Sequence, residues 1–290
     1  LHYAKFPAGF VVQKRGNHPG KQGGGKCQFM DTAADLLDPV PAPASPPNEK
    51  LRRLSVAEWE RFLRDGFLVF RQLIPTAVRE LMLAVTLDGV EREIGPIEYE
   101  AELHYPGAPA SLAAEGGRTI RRLKQAHSRH SVFTQWLSDR ELTDRLADLL
   151  GPRVVMPLAH HNCIMTKQPK FSSDTGWHLD IRYWAYQRPD LISVWISLVP
   201  ERVESGCLRV IPGSHRMSFD RSRFDDSLFF RGDLPENQAV IANAVPVELD
   251  PGDVLFFHAK TLHAASRNYT AQTKYSAVFT FRATDNLPLP

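Results

Sequence analysis

The chain changes its apolar rhythm near its middle. From Ser55 the pattern is helical: Ser55 with Glu58 makes a capping box, Trp59, Phe62 and Leu63 give one apolar face, and Gly66 supplies a stop. Phe67 to Phe70 is a short strand-like run. Beyond Pro75, Val78, Leu81, Met82 and Val85 recur at helical spacing and predict a second helix. Residues 93–118 carry Pro, Gly and Ala without a period and read as a long loop. A third helix is predicted to open on a capping box of Ser138 and Glu141, to bury Leu142, Leu146 and Leu149, and to end at Gly151-Pro152.

From Val154 the period shortens toward two, and β-branched and aromatic residues multiply. The strands predicted are Val154–Leu158, Asn162–Lys167, Leu191–Val199, Leu208–Ile211, Val245–Leu249, Val254–His258 and Tyr275–Phe281, with Pro212-Gly213, Pro251-Gly252 and Asn268 as turn residues. Helices first and strands afterwards indicate an α+β protein. Many short strands with no helices between them indicate a sandwich or jelly roll rather than βαβ units. Residues 216–243 interrupt the strands with Asp, Arg, Phe and Gly, a length of insert that suits a lid or binding loop.

Residues 1–49 have another character. Leu1 to Gln28 carries Lys5, Lys14, Arg15, Lys21 and Lys26 with no acid, and Pro39 to Pro47 is a Pro/Ala-rich linker. This stretch is expected to be a disordered basic extension, and Met30 heads the first ordinary-looking segment, so the first residues are expected to reflect a non-standard or over-extended start. Residues 50–290 are expected to form one domain, with helices mostly over 55–150 and a β core over about 153–285. A net charge of +2 argues against nucleic acid as a partner. No run nears the ~18 apolar residues of a membrane span. Cys27, Cys163 and Cys207 have no paired spacing, which argues against a disulfide framework and a zinc knuckle and makes reduced cytoplasm the expected compartment. No obligate protein partner is indicated.

The chemistry concentrates at Trp177-His178-Leu179-Asp180. In an extended strand, residues two apart share a face, so His178 and Asp180 point together while Leu179 turns away. A second imidazole, from distant His263, completes a 2-His-1-carboxylate face of the kind that leaves coordination positions open on non-haem Fe(II). The competing distal histidine is His258. His160, His161 and His215 are further candidates for places near a metal, with structural roles as the alternative. His-x-Asp is a common triplet in a chain with eleven histidines, so its weight comes from its surroundings.

Those surroundings are several ordered blocks. Trp177 to Trp184, Val194-Trp195-Ile196-Ser197-Leu198, Glu204-Ser205-Gly206-Cys207-Leu208, Ile211-Pro212-Gly213-Ser214-His215, Pro251 to His258, and Leu262 to Asn268 together resemble the phytanoyl-CoA dioxygenase family, as does the opening segment Glu58 to Phe70. The resemblance implies a double-stranded β-helix (a cupin-like jelly roll) with N-terminal flanking helices. It implies Fe(II) as cofactor and 2-oxoglutarate and O2 as cosubstrates, with succinate and CO2 released as a small organic substrate is hydroxylated. His178 and Asp180 match the proximal ligands and His263 the distal one, which leaves His258 a core or second-layer role. Relatives that halogenate lack the carboxylate, so Asp180 favours hydroxylation.

For the cosubstrate, the family usually places an Arg eleven residues after the distal histidine; this chain has Lys274. An ammonium pairs a carboxylate as a point charge but lacks the bidentate fork. Ser276 shares the strand face of Lys274. Trp195 and Lys124 match positions that line the 2-oxoglutarate site, with core packing and a solvated surface lysine as the respective alternatives. Arg182, Tyr183 and Trp184 follow the metal motif and are candidates for a substrate wall, or for packing beneath the insert. A metal-binding cupin-like protein without 2-oxoglutarate turnover, such as an isomerase or binding module, is the rival function, and Lys274 is the residue that sustains it.

Overall fold

The computed structural model describes residues 51–289; the expected basic extension lies outside the described residues. Chain order begins with α1 (Val56–Asp65), β1 (Phe67–Phe70), α2 (Thr76–Glu91), β2 (Ile97–Tyr99), β3 (Ile120–Lys124), α3 (Ser131–Leu137) and α4 (Arg140–Leu150). Then come β4 (Val154–Val155), β5 (Asn162–Lys167), β6 (Thr175–His178), β7 (Leu191–Ser197), β8 (Leu208–Val210), α5 (Pro235–Ile241), β9 (Val245–Val247), β10 (Val254–His258), β11 (His263–Ala265) and β12 (Lys274–Ala283).

The strands form two sheets. The larger runs β1-β10-β7-β12-β5-β3-β2, with β4 also paired to β12, and the smaller runs β6-β11-β8-β9. All pairings are antiparallel. This is the jelly roll that the strand pattern predicts; α1 to α4 precede β4 in the chain, interleaved with β1 to β3, and α5 lies between β8 and β9.

Alternation along the central strands explains the layering. On β12, Ala277, Phe279 and Phe281 face out, where they pack with Phe256, Phe133, Leu142 and Leu146 in a core shared with the helices. Val278 faces in and joins Trp195, Cys163, Leu208 and Phe257 between the two sheets. A third cluster, of Leu179, Ile181, Trp184, Phe219, Phe224 and Phe230, lies beneath the 216–243 insert. That insert is therefore a packed cap with its own helix, α5, opened by Pro235.

The helix ends follow their local chemistry. Ser55 Oγ accepts the Glu58 N–H at 3.2 Å, Glu58 Oε2 accepts the Ser55 N–H at 2.9 Å, and Gly66 closes α1 in the left-handed region at φ 79°. The predicted Ser138 cap is corrected. Ser138 Oγ donates to Thr134 O at 2.9 Å and closes α3, a helix the periodicity did not reveal, while Asp139 caps α4 by accepting the Glu141 N–H at 2.7 Å. The expected loop 93–118 contains β2. Its Glu98 lies opposite Arg122 of β3, so charged residues that read as solvent-facing are paired across the strands.

Among the described residues Cys163 and Cys207 are free and buried, and no helix is long and apolar enough to cross a membrane. Phe256 is fully buried and sits edge-on to Phe70, ring centroids 5.0 Å apart. Phe256→Ala is expected to cost about 3–5 kcal/mol of stability, read as a lower urea midpoint at unchanged m-value.

Candidate metal centre

Strand β6 ends at His178, and its antiparallel neighbour β11 begins at His263, with the two residues directly opposite in register. Cross-strand opposition alone brings the imidazoles together, ring centroids 4.2 Å apart. Asp180 does not continue the strand, as the strand reading of this stretch had it. It opens a 3-10 turn, Asp180–Tyr183. Leu179 between them keeps extended dihedrals (φ −109°, ψ 130°), so the i, i+2 relation survives, and Leu179 turns into the core beneath the insert.

All three side chains are buried, and one donor atom from each lies within 4.8 Å of the others. Asp180 Oδ1 is 3.6 Å from His178 Nε2 and 3.5 Å from His263 Nε2. The ring orientations are set from behind. His178 Nδ1 lies 2.8 Å from Gly176 O, and His263 Nδ1 lies 2.9 Å from Thr261 O. A carbonyl only accepts, so each Nδ1 carries the hydrogen and each Nε2 keeps a free lone pair.

Asp180 is anchored on one oxygen only. Oδ2 accepts from Ser193 Oγ at 3.0 Å and faces His161 Nδ1 at 3.2 Å, while Thr280 Oγ1 bridges Ser193 and His161 at 3.1 and 3.3 Å. Oδ1 is buried without a hydrogen-bond partner among the described residues. Two imidazole lone pairs and one unpaired carboxylate oxygen, aimed at a common point in a buried cavity, are a donor set that fits a divalent transition metal.

The electrostatics agree. Burial, helped by the neighbouring His263, pushes His178 down to about 3, so it is neutral and able to ligate at physiological pH. Burial would raise the Asp180 carboxyl, but His161 and His263 outweigh it and hold the group well below the usual carboxylate range.

The cavity over this trio is also lined by Tyr105, Arg121, Arg122, His161, Lys167, Tyr183 and Trp195. Other residues singled out from the sequence lie differently. His258 is buried at the far end of β10, where its Nδ1 accepts the Lys260 N–H at 3.1 Å, in keeping with a core role. His215 Nε2 donates to Leu63 O at 3.1 Å, and its ring stands 5.6 Å from that of His258. Trp195 lines the cavity, but its Nε1 donates to Glu201 Oε1 at 2.9 Å. Ser276 Oγ donates to the same oxygen at 2.8 Å, and Lys274 Nζ pairs with Glu201 Oε2 at 3.0 Å. Three of the four residues expected to meet a cosubstrate thus converge on one buried carboxylate of the chain itself. The fourth, Lys124, is corrected outward: it is exposed, pairs with Glu98 at 3.4 Å and lines a separate surface groove.

The expected substrate wall divides. Tyr183 lines the cavity and stacks on His160 at 3.6 Å. Trp184 is buried in the core beneath the insert. Arg182 lies with its guanidinium 4.0 Å from the Phe229 ring and donates to Ser227 O at 3.1 Å, bracing the insert. Sequence reasoning missed Glu201, in a turn that reads as exposed, and the cations Arg121, Arg122 and Lys167. For Lys167 a signal existed: it shares the inward parity of Cys163 and Met165 on β5.

A family model described as phytanoyl-CoA dioxygenase (PhyH) matches residues 62–276. A relative from Caenorhabditis elegans named "Probable phytanoyl-CoA dioxygenase" is 23% identical over 222 residues, covering 74% of this chain and 71% of its own. Among solved structures, EctD from S. alaskensis with 2-oxoglutarate and 5-hydroxyectoine aligns with a TM-score of 0.68 at 19% identity, over 88% of this chain and 83% of that one. The epimerase SnoN, in complex with Fe3+, alpha ketoglutarate and nogalamycin RO, aligns with a TM-score of 0.64 at 19% identity, over 81% and 85%. At such identities the two structures establish the shared fold.

Asp180→Ala is expected to weaken binding of Co(II) or Mn(II) at least ~100-fold, whereas His258→Ala leaves it unchanged, as read by calorimetry. His178 and His215, pushed by burial to about 3 and about 4, are neutral when folded but titrate normally when unfolded. The unfolded chain therefore binds more protons between those values and about 6.5, so the metal-free protein is expected to lose stability as pH falls from 7 to 5. Denaturant melts across that range check the sign.

Proposed function

The chain belongs to the phytanoyl-CoA dioxygenase family, and from that premise we propose that it is an Fe(II)- and 2-oxoglutarate-dependent oxygenase that hydroxylates a small organic substrate. The observation that carries the reading is the facing pair His178 and His263 with the unpaired Asp180 Oδ1 between them. His178, Asp180 and His263 would hold the ion and, as only three donors, would leave it open to cosubstrate and O2. When bound, Fe(II) would supply the activation of O2, one of whose oxygen atoms goes to succinate as 2-oxoglutarate loses CO2 and the other to the substrate C–H bond as a hydroxyl.

The chain's own residues do the rest. Gly176 O and Thr261 O hold the imidazoles in the ligating tautomer, and Ser193 and His161 fix the Asp180 plane. Tyr183, stacked on His160, forms one side of the space a substrate would enter, and Arg182 positions the insert above it. Walls built from Trp195, Phe257 and Leu208 keep bulk water from the centre. The cavity's cations, Arg121, Arg122 and Lys167, suit an anionic cosubstrate.

One observation favours a second reading, a metal-binding protein of this fold without keto-acid turnover: the Glu201 carboxylate already neutralises Lys274. Adding 2-oxoglutarate to the anaerobic Fe(II) protein separates the two. The oxygenase is expected to develop a weak visible charge-transfer band and, on exposure to air, to form succinate, and Asp180→Ala is expected to abolish both. A protein that binds Fe(II) but gives neither band nor succinate is the second kind. With a metabolite pool as substrate, a product gaining one oxygen atom identifies hydroxylation; an isomeric product of unchanged mass identifies epimerisation instead.

A further inference from the structure

Arg121, Arg122 and Lys167 line the cavity, and Lys274 stands against its Trp195 wall, Nζ 4.9 Å from the ring centroid; the four are not equivalent. Arg121 is paired with Glu100 at 3.1 Å, and Arg122 with Glu98 at 3.4 Å. Lys274 is paired with Glu201 at 3.0 Å, and that carboxylate is saturated by Trp195 Nε1 and Ser276 Oγ as well. Lys167 differs. It is 5% exposed, lines the cavity, and its Nζ donates to one neutral acceptor, Ser173 O, at 2.9 Å, with no carboxylate in ion-pairing reach among the described residues. Two of its three donors are left over.

The backbone around Lys167 is built to hold that arm still. Asn268 Nδ2 donates to the Lys167 carbonyl at 2.8 Å. Gly206, at φ 75°, lets the loop before β8 pass so close that a Cβ there would lie 3.0 Å from Lys167 Cδ. Lys167 stands directly opposite Lys274 in the β5–β12 register, at the end of the strand pair where the sequence led us to expect the keto acid's anchor.

We propose that Lys167, not Lys274, receives the far carboxylate of the 2-oxo dicarboxylate, and that Glu201–Lys274 is a closed structural ion pair beside it. This deepens the oxygenase reading and rests on it. Charge balance supports the assignment. A divalent ion over Asp180 leaves one positive charge and a protonated Lys167 adds another; the three remaining cations are each matched by a buried glutamate. A dicarboxylate dianion cancels that surplus of two. A buried ammonium without an anion is costly, and burial, with Arg121 and Lys274 nearby, holds Lys167 well below the usual lysine range. An arriving carboxylate relieves that cost.

The test uses the anaerobic Fe(II) protein, with the visible band titrated against 2-oxoglutarate and against 2-oxopentanoate, which lacks the far carboxylate. Lys167→Met is expected to weaken 2-oxoglutarate binding at least ~30-fold while leaving 2-oxopentanoate unchanged. The unchanged keto acid also reports that fold and metal centre are intact. The charge-neutral double variant Glu201→Gln with Lys274→Met is expected to keep 2-oxoglutarate affinity within ~3-fold. Wild-type affinity in Lys167→Met, or its loss only in the double variant, overturns the assignment and returns the anchor to Lys274. A wild-type protein that binds Fe(II) but forms no band with 2-oxoglutarate overturns the oxygenase reading, and this assignment with it.

Discussion

Everything at the centre depends on a buried carboxylate whose two oxygens are treated differently. Asp180 Oδ2 is tied through Ser193 and His161 to the large sheet, and Oδ1 is left open toward two imidazoles of the small sheet. A buried carboxylate oxygen with no hydrogen-bond partner among the described residues is expensive, and a fold retains one where an ion returns the energy. The same residue therefore links the two sheets through Oδ2 and presents Oδ1 to a point where His178 and His263 could join it in holding a metal ion.

The packing serves that asymmetry. β6 and β11 supply His178 and His263 at opposed register positions, so their separation is a property of the ladder rather than of flexible loops. β7 and β12 supply Ser193 and Thr280 behind Asp180. The helices cover the outer face of the large sheet, leaving the inner face to line the cavity, and the 216–243 insert closes over the turn that starts at Asp180. Around the metal donors, Arg121, Arg122 and Lys274 pair with Glu100, Glu98 and Glu201, while Lys167 has no carboxylate in ion-pairing reach among the described residues. Buried charge pairs of this kind contribute little net stability against apolar replacements, so their value here lies in where they leave charge uncompensated.

The parts of the fold that were legible in the sequence are those decided within a few residues. The Ser55–Glu58 cap, the Gly66 stop and strands Asn162–Lys167 and Val254–His258 lie where local pattern puts them. The misses share a cause. β2 and β3 carry Glu98, Arg121 and Arg122, charges that give no apolar alternation and whose partners (Arg122 for Glu98 across the strands, Glu100 for Arg121) only the fold brings near, and α3 is too short to show a period. At the site, the structure brings His178, Asp180 and His263 together, while Lys124 is exposed, Trp184 is buried beneath the insert, and Arg182 links the insert to the hydroxyls of Tyr105 and Tyr183, which line the cavity.

By itself the sequence determined the kind of chemistry available: two imidazoles and a carboxylate in a setting that resembles one oxygenase family, on a strand-rich core preceded by helices. Only the tertiary structure decided which cavity cation lacks a carboxylate partner among the described residues. Ion pairing between Glu201 and Lys274 spans 73 residues of chain, and no local pattern at either residue encodes it. The physical reason is that a metal face can be written in an i, i+2 spacing and a motif, whereas the charge a side chain presents is set by every neighbour the fold brings within a few ångströms of it.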